Sequence, residues 1–414
     1  MLISKVISIG DEILIGQITN SNATFISNRL YSIGIPVIRI ITIPDREEEL
    51  LQELTDSVEN FDVTIITGGL GPTHDDITKP VLTKFFKDEL ITDQEVLEHI
   101  NDLFKKRNIK MPESNEEQAT VPRNAKIIWN DIGTAPGLWF EKDDHVIIAL
   151  PGVPFEMKTM IDKIVLPMLK EKFALKINYV LKSRSLLTTG ISESGLQELL
   201  GDVSEFIGDS KLAFLPSPKG VRLRIDADAN NEKTVDKKIK EIEEVINIKA
   251  GKYIYGTDDA LLEKIVGDFL LKKGFTLAVA ESCTGGLLSS RITDVSGSSH
   301  YYAGGVCSYS NEVKINVLKV KKDTIEKHGA VSKETALEMA NGIRSILKTD
   351  IGVSITGIAG PSGGTDEKPV GLVWIGYSDK IKTFVRKFMF GSIRERNKIR
   401  AVQMALQILR KELI

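Results

Sequence analysis

The strongest constraint on this chain is an alternation of strand-like and helix-like patterns through its first 170 residues. "KVISIG" leads into "NSNATFISNRLYSIG", "IPVIRIITIPD" into "REEELLQELTDSVEN", and then comes "FDVTIITGG". Repeated βα units of this kind predict a parallel sheet covered by helices. Ile26, Leu30 and Ile33 give the first helix its apolar stripe, Asn20 or Ser21 caps it, and Gly34 ends it. "HVIIALPG" reads as a later buried strand, and "FEMKTMIDKIVLPMLKEKF" as the helix that closes the unit.

From about residue 176 the pattern changes. "NYVLKSRSLL" is strand-like, "SESGLQELLGDVSEFIG" helical, and "KLAFLPSPKGVRLRIDAD" a hairpin that turns at Ser-Pro-Lys-Gly. Val221, Leu223 and Ile225 alternate there with Arg222, Arg224 and Asp226, which gives one core face and one wet face. The charged helix "EKTVDKKIKEIEEVINIKAG" stops at Gly251 and completes a small α+β segment. A third unit starts near Asp258, where "ALLEKIVGDFLLKKG" leads into the strand "TLAVA" and the turn "ESCTGG". "IGVSITGIAG" and "GLVWIGYSD" follow as strands, and "RERNKIRAVQMALQILRKEL" as a long closing helix.

A chain of 414 residues has room for two or three such domains. Its 54 basic and 57 acidic residues leave a net charge of -3, without the basic footprint of a general nucleic-acid binder. Small anions can still bind at local sites. "LISKVISIG" is too short and interrupted for a signal segment, and no later apolar run approaches ~20 residues. These features read as a soluble, cytoplasmic protein with no membrane partner. Cys283 and Cys307 make neither a disulfide framework nor a CxxC metal cluster, and read as small buried hydrophobes.

Two stretches carry candidate chemistry. "TGGLGPTHDD", residues 67–76, follows the strand "DVTII" directly. Small residues at a strand's carboxyl end let a ligand approach backbone N–H groups and a helix start, which suits phosphate. Asp75 and Asp76 then have the oxygens to hold a hard divalent cation. The competing reading is a glycine-rich turn before an acidic helix start. In the second stretch, "GSSHYYAGGVCSYSNEVK", residues 297–314, a serine needs a base. His300 and His328 lie in this unit, but Lys314 is the better candidate. With Asn311 as cap it sits in a helix's first turn, where dipole and burial both disfavour the protonated amine. Tyr309 is close enough along the chain to share the site. In "ESCTGG", a strand again runs into small residues and a helix, and Ser282 and Thr284 are further hydroxyls. The residues alone leave the nucleophile open among Ser282, Cys283, Ser299 and none, with ordinary turns and caps as the plain alternative.

These blocks carry a family resemblance. "GDEIL", "TGGLGPTHDDIT", "GTAPG" and "PGVPFEM" resemble the competence/damage-inducible protein A family, CinA, whose first domain is similar to molybdopterin-binding proteins. "AESCTGG", "GSSHYY", "YSNEVK", "HGAVS" and "TGIAGPSGGTDEKPVG" resemble its carboxyl-terminal domain, of the nicotinamide-nucleotide amidohydrolase type. The resemblance implies an α/β chain of three domains: a three-layer αβα molybdopterin-binding-like domain over 1–172, a small KH-like α+β domain over 173–254, and an α/β amidohydrolase domain over 255–414.

The implied activities are hydrolysis of nicotinamide mononucleotide (NMN) to nicotinic acid mononucleotide and ammonia, and cleavage of ADP-ribose to AMP and ribose 5-phosphate. For the first, Ser299 maps to the nucleophile, Lys314 to its base, Tyr309 to a supporting hydroxyl and Arg394 to the substrate-facing arginine. Ser282, Thr284, Gly285, Gly286, Gly357 and Gly360 supply further substrate contacts, with no cofactor needed. For the second, Asp75 and Asp76 map to the catalytic residues, as metal ligands or as acid and base, and Glu12 joins them in holding a divalent ion of the Mg, Mn or Co type. Gly68, Gly69 and Gly71 cradle phosphate there, and Asp45 joins the site. The family also implies a homodimer. An alternative is a nucleotide- or pterin-binding accessory protein of competence or recombination, without catalysis at the first site. No GxxG, the loop with which KH modules clamp nucleic-acid backbone, occurs between residues 176 and 250, so the middle segment reads as a structural or interface domain. Where the family commonly has Pro-Gly-Asp before the arginine, this chain has Gly391, Ser392 and Ile393.

Overall fold

The computed structural model describes residues 2–73, 76–112, 115–176 and 180–414. The chain divides into two compact units, residues 1–182 with 227–238 and residues 183–226 with 239–414.

The first unit is built on strands β1 (Ser4–Ile9), β2 (Val37–Ile43) and β3 (Val63–Thr67), a short outlying pair β4 (Leu90–Thr92) and β5 (Thr120–Pro122), then β6 (Lys126–Ile128), β7 (Gly137–Lys142) and β8 (His145–Leu150). Its six-stranded sheet runs in the order β2-β1-β3-β8-β7-β6. β1, β2, β3 and β8 are parallel, as the βα alternation predicts. β7 and β6 are antiparallel additions, because "FEK" turns into "HVI" through Asp143 and Asp144, with Asp143 at φ 55. Successive residues face opposite sides of a strand. Val6, Ile65 and Ile148 therefore join the core under the Ser21–Tyr31 and Pro154–Met160 helices, while Ile7, Ile66 and Ile147 join the core under the Glu47–Asn60 and Thr78–Phe85 helices. Burial on both faces explains why these strands read as continuous apolar runs.

Asn20 is the cap of the Ser21–Tyr31 helix, its side chain accepting from the Ala23 N–H at 3.1 Å. The closing helix departs from the uninterrupted run its sequence predicts. α-Helix over Pro154–Met160 opens into a π turn over Ile161–Val165 and resumes at Leu166–Lys172. Pro167, at the start of that last stretch, lacks the N–H an uninterrupted α-helix requires, and the wider turn accommodates it.

Two further sheets have most of their residues in the second unit. β9 (Val180–Thr188), β10 (Lys211–Ser217), β11 (Gly220–Ala229) and β12 (Ile254–Thr257) run in the order β10-β11-β9-β12. The β10–β11 hairpin closes at Ser217 and Gly220, with Val221, Leu223 and Ile225 buried as the alternation predicts. The other sheet contains β13 (Leu277–Glu281), β14 (Tyr302–Cys307), β15 (Ile351–Gly357), β16 (Leu372–Ser378) and β17 (Thr383–Met389), ordered β14-β13-β15-β16-β17. β13 is parallel to β14 and to β15, and β16 and β17 add antiparallel. The Leu262–Lys273 and Arg394–Leu413 helices pack on one face, and the Lys333–Leu347 helix on the other. Among the described residues no helix is long and apolar enough to cross a membrane.

An almost fully buried ion pair ties the first face together. Arg291 donates to Glu263 at 2.6 Å and to the Gln403 side-chain oxygen at 3.1 Å. Removing one partner leaves an uncompensated buried charge. Glu263→Ala should lower stability by about 3–5 kcal/mol, read as a shift of the urea unfolding transition. The double replacement Glu263→Leu with Arg291→Met should recover most of that loss.

Candidate functional sites

The first candidate site lies where β1 and β3 end. A cavity of about 790 Å³ is lined by the turn that follows each strand, with Asp11, Glu12, Asp45, Gly68, Gly69, Gly71 and Asp76 among its residues. Gly69 has φ 66, and a Cβ there would stand 2.3 Å from the Thr78 hydroxyl, so the turn requires glycine. Asp76 organises this loop: its carboxylate accepts from the Gly71 N–H at 2.8 Å, the Thr73 N–H at 2.8 Å and the Thr73 hydroxyl at 2.5 Å. Burial lowers the Lys79 amine below its usual value, against the pull of Asp76 and Glu117.

Asp75 lies outside the described residues. Among those described, no group of three or more His, Cys, Asp or Glu side chains converges as a metal site. The donor chemistry nevertheless suits a Mg²⁺-type ion, which takes one or two carboxylates together with substrate phosphates and water. Glu12 and Asp45 offer such oxygens in the same cavity.

The second candidate site lies at the carboxyl ends of β13, β14 and β15. Its cavity, about 270 Å³, is lined by Ser282, Tyr309, Asn311, Lys314, Thr356, Gly357, Gly360 and Arg394, among others. Ser282 follows β13 directly, and its N–H donates to the Ile355 carbonyl at 2.9 Å. Lys314 is 1% exposed, and its Nζ donates to the Ser282 hydroxyl at 3.1 Å and to the Ser308 carbonyl at 2.6 Å. Desolvation is the largest influence on this amine and lowers its pKa, while Cys283 and Cys307 act the other way. Glu281, not foreseen from the sequence, braces the turn from below. Its carboxylate accepts from the N–H groups of Leu288 and Ser289 and from the Ser289 hydroxyl at 2.7–2.9 Å. An acid ahead of a small-residue turn and a helix start was the available signal.

The structure does not bring Ser299 to Lys314. β13 and β14 are parallel, with Glu281 opposite Cys307, so Ser282 and Ser308 leave the sheet at the same end. Ser299 sits in the 3-10 turn before β14, at the opposite end of that strand, and is exposed. Six residues at about 3.3 Å each separate the two ends by roughly 20 Å. The helix cap also differs from expectation: Ser310, rather than Asn311, accepts from the Val313 N–H, and Asn311 lines the cavity instead. Tyr309 presents its hydroxyl to Arg394 Nη2 at 3.1 Å, and its carbonyl, at 3.5 Å, faces Lys314. Arg394 Nη1 also donates to the Gly360 carbonyl at 2.9 Å, so the Gly391-Ser392-Ile393 approach still delivers the arginine to the site. Thr284, Gly285 and Gly286 lie outside the cavity lining, and Thr284 is fully buried. Neither His300 nor His328 lines it.

Fold and sites thus define an α/β protein with a glycine-lined loop at one sheet and a buried lysine–serine pair at another. Comparison with known proteins agrees. The profile of the probable molybdopterin binding domain matches residues 5–171, that of the damage-inducible protein CinA KH domain residues 183–256, and that of the CinA C-terminal domain residues 259–413. A CinA-like protein of Salinibacter ruber is 43% identical over 99% of both chains. One from Chloroherpeton thalassium is 42% identical over 99% of both. The crystal structure of the competence/damage inducible protein CihA from Agrobacterium tumefaciens shares 35% identity, covering 37% of this chain and 93% of that one, with a TM-score of 0.36. The chain belongs to the CinA family, with a molybdopterin-binding-like first domain, a KH-like middle domain and a CinA carboxyl-terminal domain.

Burial pushes the Cys283 thiol up to about 12, which keeps it from acting as a thiolate near neutral pH. Cys307 is exposed. A thiol-reactive disulfide reagent at pH 8 should therefore modify one cysteine rapidly in the native protein. Cys307→Ser should abolish that phase, leaving only slow modification of Cys283.

Proposed function

We propose that the carboxyl-terminal site is a metal-independent serine amidase that hydrolyses NMN to nicotinic acid mononucleotide and ammonia, with Ser282 as nucleophile and Lys314 as base. The observation that carries this reading is the 3.1 Å contact between a buried lysine amine and a hydroxyl lining a cavity. A lysine whose burial favours the neutral amine can take a hydroxyl proton. Ser282 Oγ then bonds to the carboxamide carbon while its proton passes to Lys314 Nζ. The C–N bond breaks, and the leaving nitrogen takes that proton and departs as ammonia. A water next attacks the Ser282 ester, again giving its proton to Lys314, which returns it to Ser282 as the carboxylate product leaves. Arg394, exposed at the cavity and held by Tyr309 and Gly360, would meet the nucleotide phosphate.

Ser282→Ala and Lys314→Ala should each lower NMN turnover by at least about a thousandfold, with Ser299→Ala near wild type. Activity lost in Ser299→Ala and kept in Ser282→Ala would overturn the assignment. Because only the neutral amine accepts a proton, the rate should rise with pH as Lys314 deprotonates. Burial lowers that pKa, so the rise should finish below the pH at which a free lysine titrates. EDTA should leave this activity unchanged, since every step uses side-chain atoms and water.

The first domain favours a second reaction, cleavage of ADP-ribose to AMP and ribose 5-phosphate. Its support is the glycine loop at the end of β3, open to backbone approach and lining the same cavity as Glu12 and Asp45. Glu12 and Asp45 would hold the divalent ion, which when bound neutralises pyrophosphate oxygens and activates water. Asp76 shapes the loop that grips phosphate. Asp76→Ala should therefore weaken ADP-ribose binding as well as EDTA-sensitive AMP release, measured by dialysis and by product assay. Tight binding without AMP release by the wild type would instead support an accessory nucleotide-binding role.

A further inference from the structure

A cavity of about 480 Å³ lies where the turns at 189–193 and 216–221 meet the end of β17 and the Arg394–Leu413 helix, all within the second unit. It shares no lining residue with the Ser282 cavity. Its volume falls within the roughly 300–1,000 Å³ of small-molecule sites.

One side of its chemistry is flat and apolar. The rings of Phe388 and Phe390 lie within 10° of parallel with centroids 5.9 Å apart, and Met404 lines the same space. The lining also includes the cationic side chains of Arg400 and Lys219, with Glu193 as its one carboxylate.

The third component is a buried donor. Gln403 is 2% exposed and lines the cavity. Arg291, which can only donate, holds its Oε1 at 3.1 Å and so fixes the amide's orientation. The remaining Nε2 has no hydrogen-bond partner among the described residues. The Tyr255 hydroxyl is near enough to interact with Gln403 without completing a bond to Nε2. Buried amide donors are rarely left unpaired in a finished structure, and a ligand acceptor would satisfy this one.

We propose that this cavity binds a mononucleotide, its base against Phe388 and Phe390, an acceptor atom of the base on Gln403 Nε2, and its phosphate on Arg400 and Lys219. Aromatic side chains accept the π-face of any base, and Arg and Lys side chains donate charge-assisted hydrogen bonds to phosphate. Glu193 favours a base bearing an exocyclic amino group, which makes AMP the suitable probe.

AMP binding to the full-length protein can be followed by isothermal titration, beside Lys219→Ala and Arg400→Ala variants with unchanged unfolding temperatures. Lys219 sits in an exposed turn, so its truncation leaves the packing intact. The wild type should bind AMP at a site whose affinity falls at least about tenfold in each variant, the loss expected of a charge-assisted phosphate contact. An AMP titration curve in either variant that matches the wild type, with no site weakened, or no AMP binding by the wild type, overturns the proposal.

Discussion

A parallel strand cannot turn straight back into its neighbour, and both candidate reaction sites depend on that constraint. Each crossover carries the chain from the carboxyl end of one strand to the amino end of the next, so the turns leaving parallel strands collect at one edge. In the first unit this gathers the turns after β1 and β3 around Glu12 and the Gly68–Gly71 loop. In the second it gathers Ser282 after β13, Ser308 and Tyr309 after β14, and Ile358 to Gly360 after β15.

The chemistry of the second site rests on where one amine is buried. Lys314 reaches into the sheet's edge, where it donates to a backbone carbonyl and a serine hydroxyl. Removal from water makes its proton easier to lose. The turn that carries Ser282 is held independently, through the Glu281 carboxylate bound to two backbone N–H groups at the start of the Leu287–Thr293 helix. The Ser282 hydroxyl and the Lys314 amine are thus positioned by different strands and different hydrogen bonds.

At the first site an acidic side chain has a task the sequence does not advertise. Asp76 has the chemistry of a metal ligand, yet three donors of its own loop already occupy its oxygens. A carboxylate can organise backbone N–H groups as readily as it can hold a cation. Glu12 and Asp45, more distant in sequence, face the same cavity.

Much of this protein was legible from residue order. Periodicity located the parallel core strands, the amphipathic Ser21–Tyr31 helix and the β10–β11 hairpin, because two-face burial and strand alternation leave direct marks on hydrophobicity. The ordered blocks around Gly68, Ser282 and Lys314 marked the family and the neighbourhoods of both sites. Residue order did not reveal the β7–β8 hairpin at Asp143, the π turn ahead of Pro167, or which serine meets Lys314. Ser299 is nearer than Ser282 to Lys314 along the chain, but strand β14 intervenes and carries the chain away from it. Composition, the apolar pattern and the supply of reactive groups were determined by the sequence itself; the pairing of Ser282 with Lys314 was decided only by tertiary structure, because parallel strand register brings together ends that are far apart in the chain.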